Sequence, residues 1–275
     1  MSSASLPRLG LVQMTSTNDP AHNLATALAF IEQAAAQGVT LLAFPEVFLL
    51  VGTAQQAKEA AQPLQGPEAT WVNTFAQAAQ KHGMWLLLGS LHERIADHPQ
   101  GKVHNTAVLL DDQGALRAIY RKRQLFNVNL PSLNVQESDL MEPGQDLPPV
   151  IETPLGRVGL GICFDLRFSA HFAALRRQGA EVILLPANFT HPTGAAHWEP
   201  LLRSRAIETQ CYVGAPAQTG TNQRYTAYGH TLVADPWGAV VAQASEGEGL
   251  VVTPIDLERV QQVRARIPMA DSTNL

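Results

Sequence analysis

Glu46, Lys122 and Cys163 are the residues of this chain whose types combine into a set able to break an acyl bond. A free thiol has a pKa of about 8.5, so only a few per cent of it is the nucleophilic thiolate at neutral pH. A carboxylate that takes the thiol proton makes up that deficit. An ammonium group can then stabilise the negative charge that develops on the substrate oxygen. Together the three residues would form a thiol hydrolase site.

Each of the three follows an apolar run that reads as a buried strand. Val158 to Ile162 is such a run, and it ends at Cys163 within Gly159-Leu-Gly-Ile-Cys-Phe-Asp-Leu-Arg-Phe168. Polar, helix-compatible residues follow. Cys163 is therefore expected on a strand-to-helix turn, its sulfur held in a cleft beside free backbone N–H groups. Gly159 and Gly161 leave room for a substrate or a neighbouring backbone. Leu41-Leu-Ala-Phe-Pro-Glu46 is a second short strand, stopped by Pro45, which also disfavours helix at Phe44. That puts Glu46 at a strand's carboxyl end, where open α/β sheets carry their sites. The run from Leu116 to Tyr120 precedes Lys122 within Tyr120-Arg-Lys-Arg-Gln-Leu-Phe126.

In this order the three motifs resemble the nitrilase (carbon–nitrogen hydrolase) superfamily, whose catalytic trio is Glu, Lys and Cys. The likeness runs from Leu9-Gly-Leu-Val-Gln-Met14 to about Ile267. Thr193 to Val213 and Tyr228 to Gly238 are similar to its Nit amidase branch, the deaminated-glutathione and omega-amidases. The resemblance implies an α/β fold, a four-layer α-β-β-α sandwich, with one domain over 6–267 and a C-terminal tail over 268–275. It also implies a thioester acyl-enzyme on Cys163. Glu46 would be the general base, and Lys122 with the backbone N–H of Phe164 would stabilise the oxyanion. A second carboxylate is expected between the Lys and the Cys, and Glu137 in Gln136-Glu137-Ser138 fits it. Phe164, Arg167 and Arg203 lie in segments that should border the substrate. No metal or cofactor is implied. The partners implied are a small-molecule amide substrate and a second copy of the chain, as a homodimer or larger homo-oligomer.

The chain departs from the pattern of these relatives near the nucleophile. Phe164 replaces their usual Tyr, Ser169-Ala170 replaces Pro-Glu, and Gln124 stands where a His is usual. None of these changes touches the trio, but each alters the polar lining of the pocket and hence the substrate. An N-carbamoyl hydrolase, a nitrilase, a broad aliphatic amidase or esterase, and a non-catalytic scaffold are the other readings.

Composition agrees with a globular enzyme. The 275 residues are 45% hydrophobic and 16% charged, an ordinary balance. A net charge of −5 argues against nucleic acid as the main partner, and Arg121-Lys122-Arg123 is too short for a basic stripe. Two cysteines, Cys163 and Cys211, give no disulfide framework. No leader-like apolar segment opens the chain, and no run approaches the length of a membrane span. A cytoplasmic setting is expected. The nine histidines include no pair with the spacing of a zinc-hydrolase helix.

Periodicity supplies the remaining elements. Helices are expected over 19–37, 67–82, 169–178, 197–209 and from Asp256 to about Ile267. Strands are expected over 8–14, 85–91, 103–110, 182–185, 212–217, 230–234, 239–242 and 250–255. The stretch from Phe126 to Pro149 reads as a long irregular loop, and loops of that length are usually functional.

Overall fold

A computed structural model describes residues 5–130, 133–222 and 225–269. In chain order the elements are β1 (Arg8–Gln13), α1 (Pro20–Ala36), β2 (Leu41–Ala43), α2 (Ala54–Ala60), α3 (Thr70–His82), β3 (Trp85–Arg94), β4 (Val103–Leu110) and β5 (Leu116–Arg121). There follow β6 (Asn127–Leu130), β7 (Leu133–Gln136), β8 (Val150–Thr153), β9 (Gly156–Leu160), α4 (Ser169–Arg177), β10 (Val182–Leu184) and α5 (His191–Thr209). The chain continues through β11 (Tyr212–Ala215), β12 (Thr219–Thr221), β13 (Thr226–Tyr228), β14 (Leu232–Ala234), β15 (Val240–Gln243), β16 (Gly249–Pro254) and α6 (Leu257–Arg266).

Two six-stranded sheets form the centre. One has the order β16-β1-β2-β3-β4-β5 and the other β15-β14-β11-β10-β9-β8. Side chains alternate along the first sheet, as a strand's two-residue period requires. Leu9, Leu11, Leu41, Ala43, Leu87 and Leu109 join a core shared with the second sheet. Leu42, Leu86, Leu88, Val108 and Leu110 face the other way, into a core with Phe30 and Ile31 of α1 and Phe75 of α3. Phe172 of α4 and Trp198 and Leu202 of α5 complete the shared core on the far side of the second sheet. The layers are thus helix, sheet, sheet, helix, as the sequence implied.

Local chemistry sets several boundaries. The Asp19 carboxylate accepts the N–H groups of Ala21 and His22 at 3.0 and 3.1 Å, and Pro20 sits where its missing N–H costs nothing. Asp256 caps α6 in the same way through the Glu258 N–H. Gly83 ends α3 in the left-handed region, at φ 57°.

The structure corrects four expectations. The α3 helix begins at Thr70 rather than Pro67, because Gly66 turns the chain at φ 87° and the Ala69 N–H bonds back to its carbonyl. The α5 helix begins at His191 rather than His197, since Pro192 is tolerated in a first turn. The 126–149 stretch is not wholly irregular. It holds the hairpin β6–β7 and a 3₁₀ turn, Glu137–Asp139; the strands alternate Asn or Gln with Val or Leu, but over only four residues each, inside an Asn- and Pro-rich stretch. Helix α2 and strands β8, β12 and β13 were not expected. The expected tail, 268–275, lies outside the described residues from 270 on.

Candidate active site

Glu46 lies three residues past the end of β2, and only 3% of its surface is exposed. The backbone there is tightly enclosed. A Cβ at Gly89 of β3 would collide with the Phe44 and Pro45 carbonyls. Val47, next to the carboxylate, is left-handed at φ 47°, a conformation that costs a β-branched residue about 1–2 kcal/mol. Ser90 supports it by accepting the Val47 N–H at 2.8 Å.

Lys122 follows β5 directly, and its N–H bonds to the Asn105 carbonyl at 2.8 Å, carrying the ladder with β4 one step further. Its ammonium lies 2.8 Å from Glu46 Oε1 and 2.9 Å from both oxygens of Glu137. Glu137 opens the turn after β7, where its Oε2 also accepts the Phe126 N–H at 2.6 Å. The segment read as a loop therefore delivers a carboxylate to the ammonium. Burial works against the Lys122 charge, but the Glu137 and Glu46 carboxylates outweigh it and hold its pKa well above the usual value. Burial raises Glu46. The Lys122 ammonium opposes that rise and the Glu137 charge adds to it. Lys122 accordingly stays charged, and Glu46 is the group whose proton is exchangeable.

Cys163 begins a 3₁₀ turn, Cys163–Arg167, three residues past β9. Its φ of 44° is left-handed, the sharp strand-to-helix geometry that the sequence suggested. Its N–H bonds to the Pro186 carbonyl at 2.8 Å. Asp165, wholly buried, ties the turn down: Oδ2 accepts the Ile162 N–H at 2.9 Å and the Tyr120 hydroxyl at 2.7 Å. Burial pushes the Cys163 thiol well above its usual pKa, and the Glu46 charge pushes it further, while Lys122 and the Asn188 backbone pull it down. The resting sulfur holds its proton and faces a carboxylate able to take it.

Glu46, Lys122, Glu137 and Cys163 all line one cavity of about 300 Å³. Phe164 and Arg167 line it too. The Phe164 ring meets Phe126 edge-on at 5.2 Å. The Arg167 guanidinium lies over the Phe164 and Phe189 rings, at 5.6 and 5.4 Å. It contacts His197 Nδ1 at 3.4 Å, and among the described residues no carboxylate pairs with it. Arg203 does not line the cavity. It is held elsewhere by the Gly238 carbonyl at 2.8 Å and by Glu199 at 3.4 Å, a helix neighbour four residues back. Among the described residues no group of three or more His, Cys, Asp or Glu is placed to hold a metal.

Sequence reasoning missed Asn105, which donates to Glu46 Oε1 at 2.9 Å, and Asn188, which lines the cavity beside the thiol. Asn105 was detectable as a polar residue on a buried face of β4. Asn188 follows β10 after Pro186, at a strand end like that of Glu46.

Residues 8–265 match the carbon–nitrogen hydrolase family. The chain is 41% identical to the deaminated glutathione amidase of Homo sapiens over 272 residues, which span 98% of this chain and 82% of that protein. The crystal structure of Saccharomyces cerevisiae Nit3, a member of branch 10 of the nitrilase superfamily, superposes with a TM-score of 0.89 at 30% identity, covering 99% of this chain and 98% of that one. An amidase from Nesterenkonia sp. AN1, in which acrylamide has added to the active-site cysteine, superposes with a TM-score of 0.77 at 25% identity, covering 94% and 97%.

Proposed function

The chain belongs to the carbon–nitrogen hydrolase family, as a hydrolase of non-peptide carbon–nitrogen bonds, and on that premise we propose that it cleaves a small-molecule amide through a thioester on Cys163. One observation carries the reading: a buried thiol, a carboxylate with a raised pKa and an ammonium pinned between two carboxylates share one cavity. Glu46 takes the thiol proton as sulfur attacks the amide carbon. The carbonyl oxygen becomes an oxyanion beside the Lys122 ammonium and the Phe164 N–H. Glu46 then gives its proton to the departing nitrogen, the carbon–nitrogen bond breaks, and ammonia or an amine leaves. Water, deprotonated by Glu46, attacks the thioester. The acid departs and the proton returns to sulfur. Glu137 holds the Lys122 ammonium in place throughout.

The substrate we propose carries a carboxylate away from the reacting amide, as in deaminated glutathione or a dicarboxylic-acid amide. Arg167 supports this reading: it is a half-buried cation on the cavity wall with no carboxylate partner among the described residues. Guanidinium suits bidentate carboxylate binding. Phe164 favours a second reading, a broad aliphatic amidase or esterase, because a hydrocarbon ring sits beside the nucleophile. Ammonia release from deaminated glutathione, 2-oxoglutaramate, an aliphatic amide, a nitrile and a carbamoyl compound separates the two, with C163A as the blank. Carbon dioxide released with the ammonia would instead mark a carbamoylase.

The same reading takes 6–267 as one domain, supported by a core shared between the two sheets. It places the protein in the cytoplasm. No helix of the described residues is long and apolar enough to cross a membrane. It also has the chain self-associate, at least as a homodimer, through surfaces near α4 and α5 where Phe168, Ile207 and Trp237 are exposed. Light scattering at micromolar concentration tests that assembly.

A further inference from the structure

Lys122 and Asn105 both donate to the same oxygen of the Glu46 carboxylate. Lys122 Nζ lies 2.8 Å from Oε1, and Asn105 Nδ2 lies 2.9 Å from it. Neither touches Oε2. Asn105 sits within β4, 1% exposed, with its backbone carbonyl bonded to the Lys122 N–H. One residue thus braces the Lys122 backbone and the Glu46 carboxylate.

The other end of the Asn105 amide identifies its purpose. Its Oδ1 is buried and has no hydrogen-bond partner among the described residues. An ionised carboxylate only accepts hydrogen bonds, so the amide must turn its NH₂ toward Glu46 and its oxygen away. A buried acceptor without a partner is destabilising. An aliphatic side chain on this strand would avoid that penalty. The amide is present at a cost to the fold, and among the described residues the one bond its side chain makes goes to Glu46.

We propose that Asn105 is a positioning residue for the general base: with Lys122 it occupies Oε1, fixes the plane of the carboxylate and leaves Oε2 as the oxygen that exchanges a proton with Cys163. This rests on the reading of Glu46 as the base. Its donor also favours the ionised form of Glu46 against burial. The other charged or titratable groups around Glu46 are Lys122 after β5, Glu137 in the turn after β7 and Cys163 in the turn after β9, with His92 of β3 on the same cavity. None of them is altered by substituting Asn105.

The test is the pH profile of kcat/KM for ammonia release by wild type, N105A, N105D and E46Q. Losing the donor should move the acid limb of N105A upward by about one pH unit, a tenfold change in the protonation equilibrium. The plateau kcat should fall while KM stays near wild type. N105D keeps the size of the side chain but replaces the donor with a negative charge, so its limb should move further in the same direction. It also serves if N105A is insoluble. A role in packing alone would lower activity equally at every pH. A wild-type acid limb in the folded variants, with E46Q inactive, overturns the positioning role and leaves the Glu46 assignment standing. Wild-type turnover in E46Q overturns both.

Discussion

Asp165 accepts the backbone N–H of Gln124 at 3.1 Å, which bonds the turn carrying Cys163 to the chain just past Lys122. The same carboxylate holds the Ile162 N–H, immediately before the nucleophile, and the Tyr120 hydroxyl, two residues before the ammonium. Lys122 follows a strand of one sheet and Cys163 a strand of the other. Asp165 is the side chain that fixes their separation. Gln124, which stands where relatives usually carry a His, takes part through its backbone, so that replacement leaves this tie intact.

D165N should therefore weaken both the fold and the chemistry. An amide cannot accept all three bonds with the strength of a carboxylate, and each buried donor left unpaired costs on the order of 1–3 kcal/mol. A lower Tm and at least a tenfold fall in kcat are expected together. Y120F removes only one donor to Asp165, the hydroxyl, so it should cost about 1 kcal/mol and keep most of the activity. Equal losses in the two variants would show that Asp165 is not the shared anchor.

Cys163 should carry the only label after limited treatment with iodoacetamide, with loss of activity in step. Cys211 is completely buried, and its sulfur lies 3.1 Å from the Ala180 carbonyl, between α4 and β10. Mass spectrometry of tryptic peptides reads the result directly. C163A should show no turnover. Activity in C163A, or labelling of Cys211 that tracks inactivation, would refute nucleophilic catalysis at this residue.

The candidate site was legible because its residues lie at the ends of apolar runs. Leu41 to Ala43, Leu116 to Arg121 and Gly156 to Leu160 are strands whose hydrophobic residues mark them, and each delivers its side chain within three residues of its end. Glu137 could be placed only by resemblance. Its supporting hairpin does alternate polar and apolar residues, Asn-Val-Asn-Leu and Leu-Asn-Val-Gln, but each strand is only four residues long and the Asn, Pro and Ser around them read as loop. Arg203 was misplaced for a different reason. It shares a sequence segment with residues near the cavity, but the helical rotation of α5 turns it toward Gly238. Asn105 was detectable as a polar residue on a buried strand, but its role was not legible, because its partner, Glu46, is distant in sequence and meets it only across β3.

K122A should slow hydrolysis about a hundredfold and acquire a pH-dependent stability defect. Loss of an oxyanion donor removes on the order of 3 kcal/mol of transition-state stabilisation, about a hundredfold in rate. It also leaves Glu46 and Glu137 facing each other without a cation. Their mutual repulsion, and the burial that already raises Glu46, then favour the protonated form in the folded protein. A carboxyl with a raised folded-state pKa binds more protons folded than unfolded, so its contribution to stability is present at low pH and lost as pH rises. The Tm difference between K122A and wild type should thus be small near pH 5 and large near pH 8. A defect that is constant across that range would mean that the Lys122 ammonium does not neutralise the pair.

R167A should separate substrates by charge. The guanidinium lies against the Phe164 and Phe189 rings on the cavity wall and makes a long contact of 3.4 Å to His197 Nδ1. A carboxylate bound there would gain charge-assisted hydrogen bonds worth roughly 1.5–3 kcal/mol, or about ten- to a hundredfold in kcat/KM. That loss should appear with deaminated glutathione or 2-oxoglutaramate and be absent with an uncharged aliphatic amide. R167K should recover only part of it, since an ammonium can neither bind bidentately nor stack on both rings. The comparison also decides between the two substrate readings. If the uncharged amide is already the better substrate of the wild type by tenfold, and R167A leaves every ratio unchanged, the cation is not recognising a carboxylate and the apolar wall around Phe164 sets the specificity.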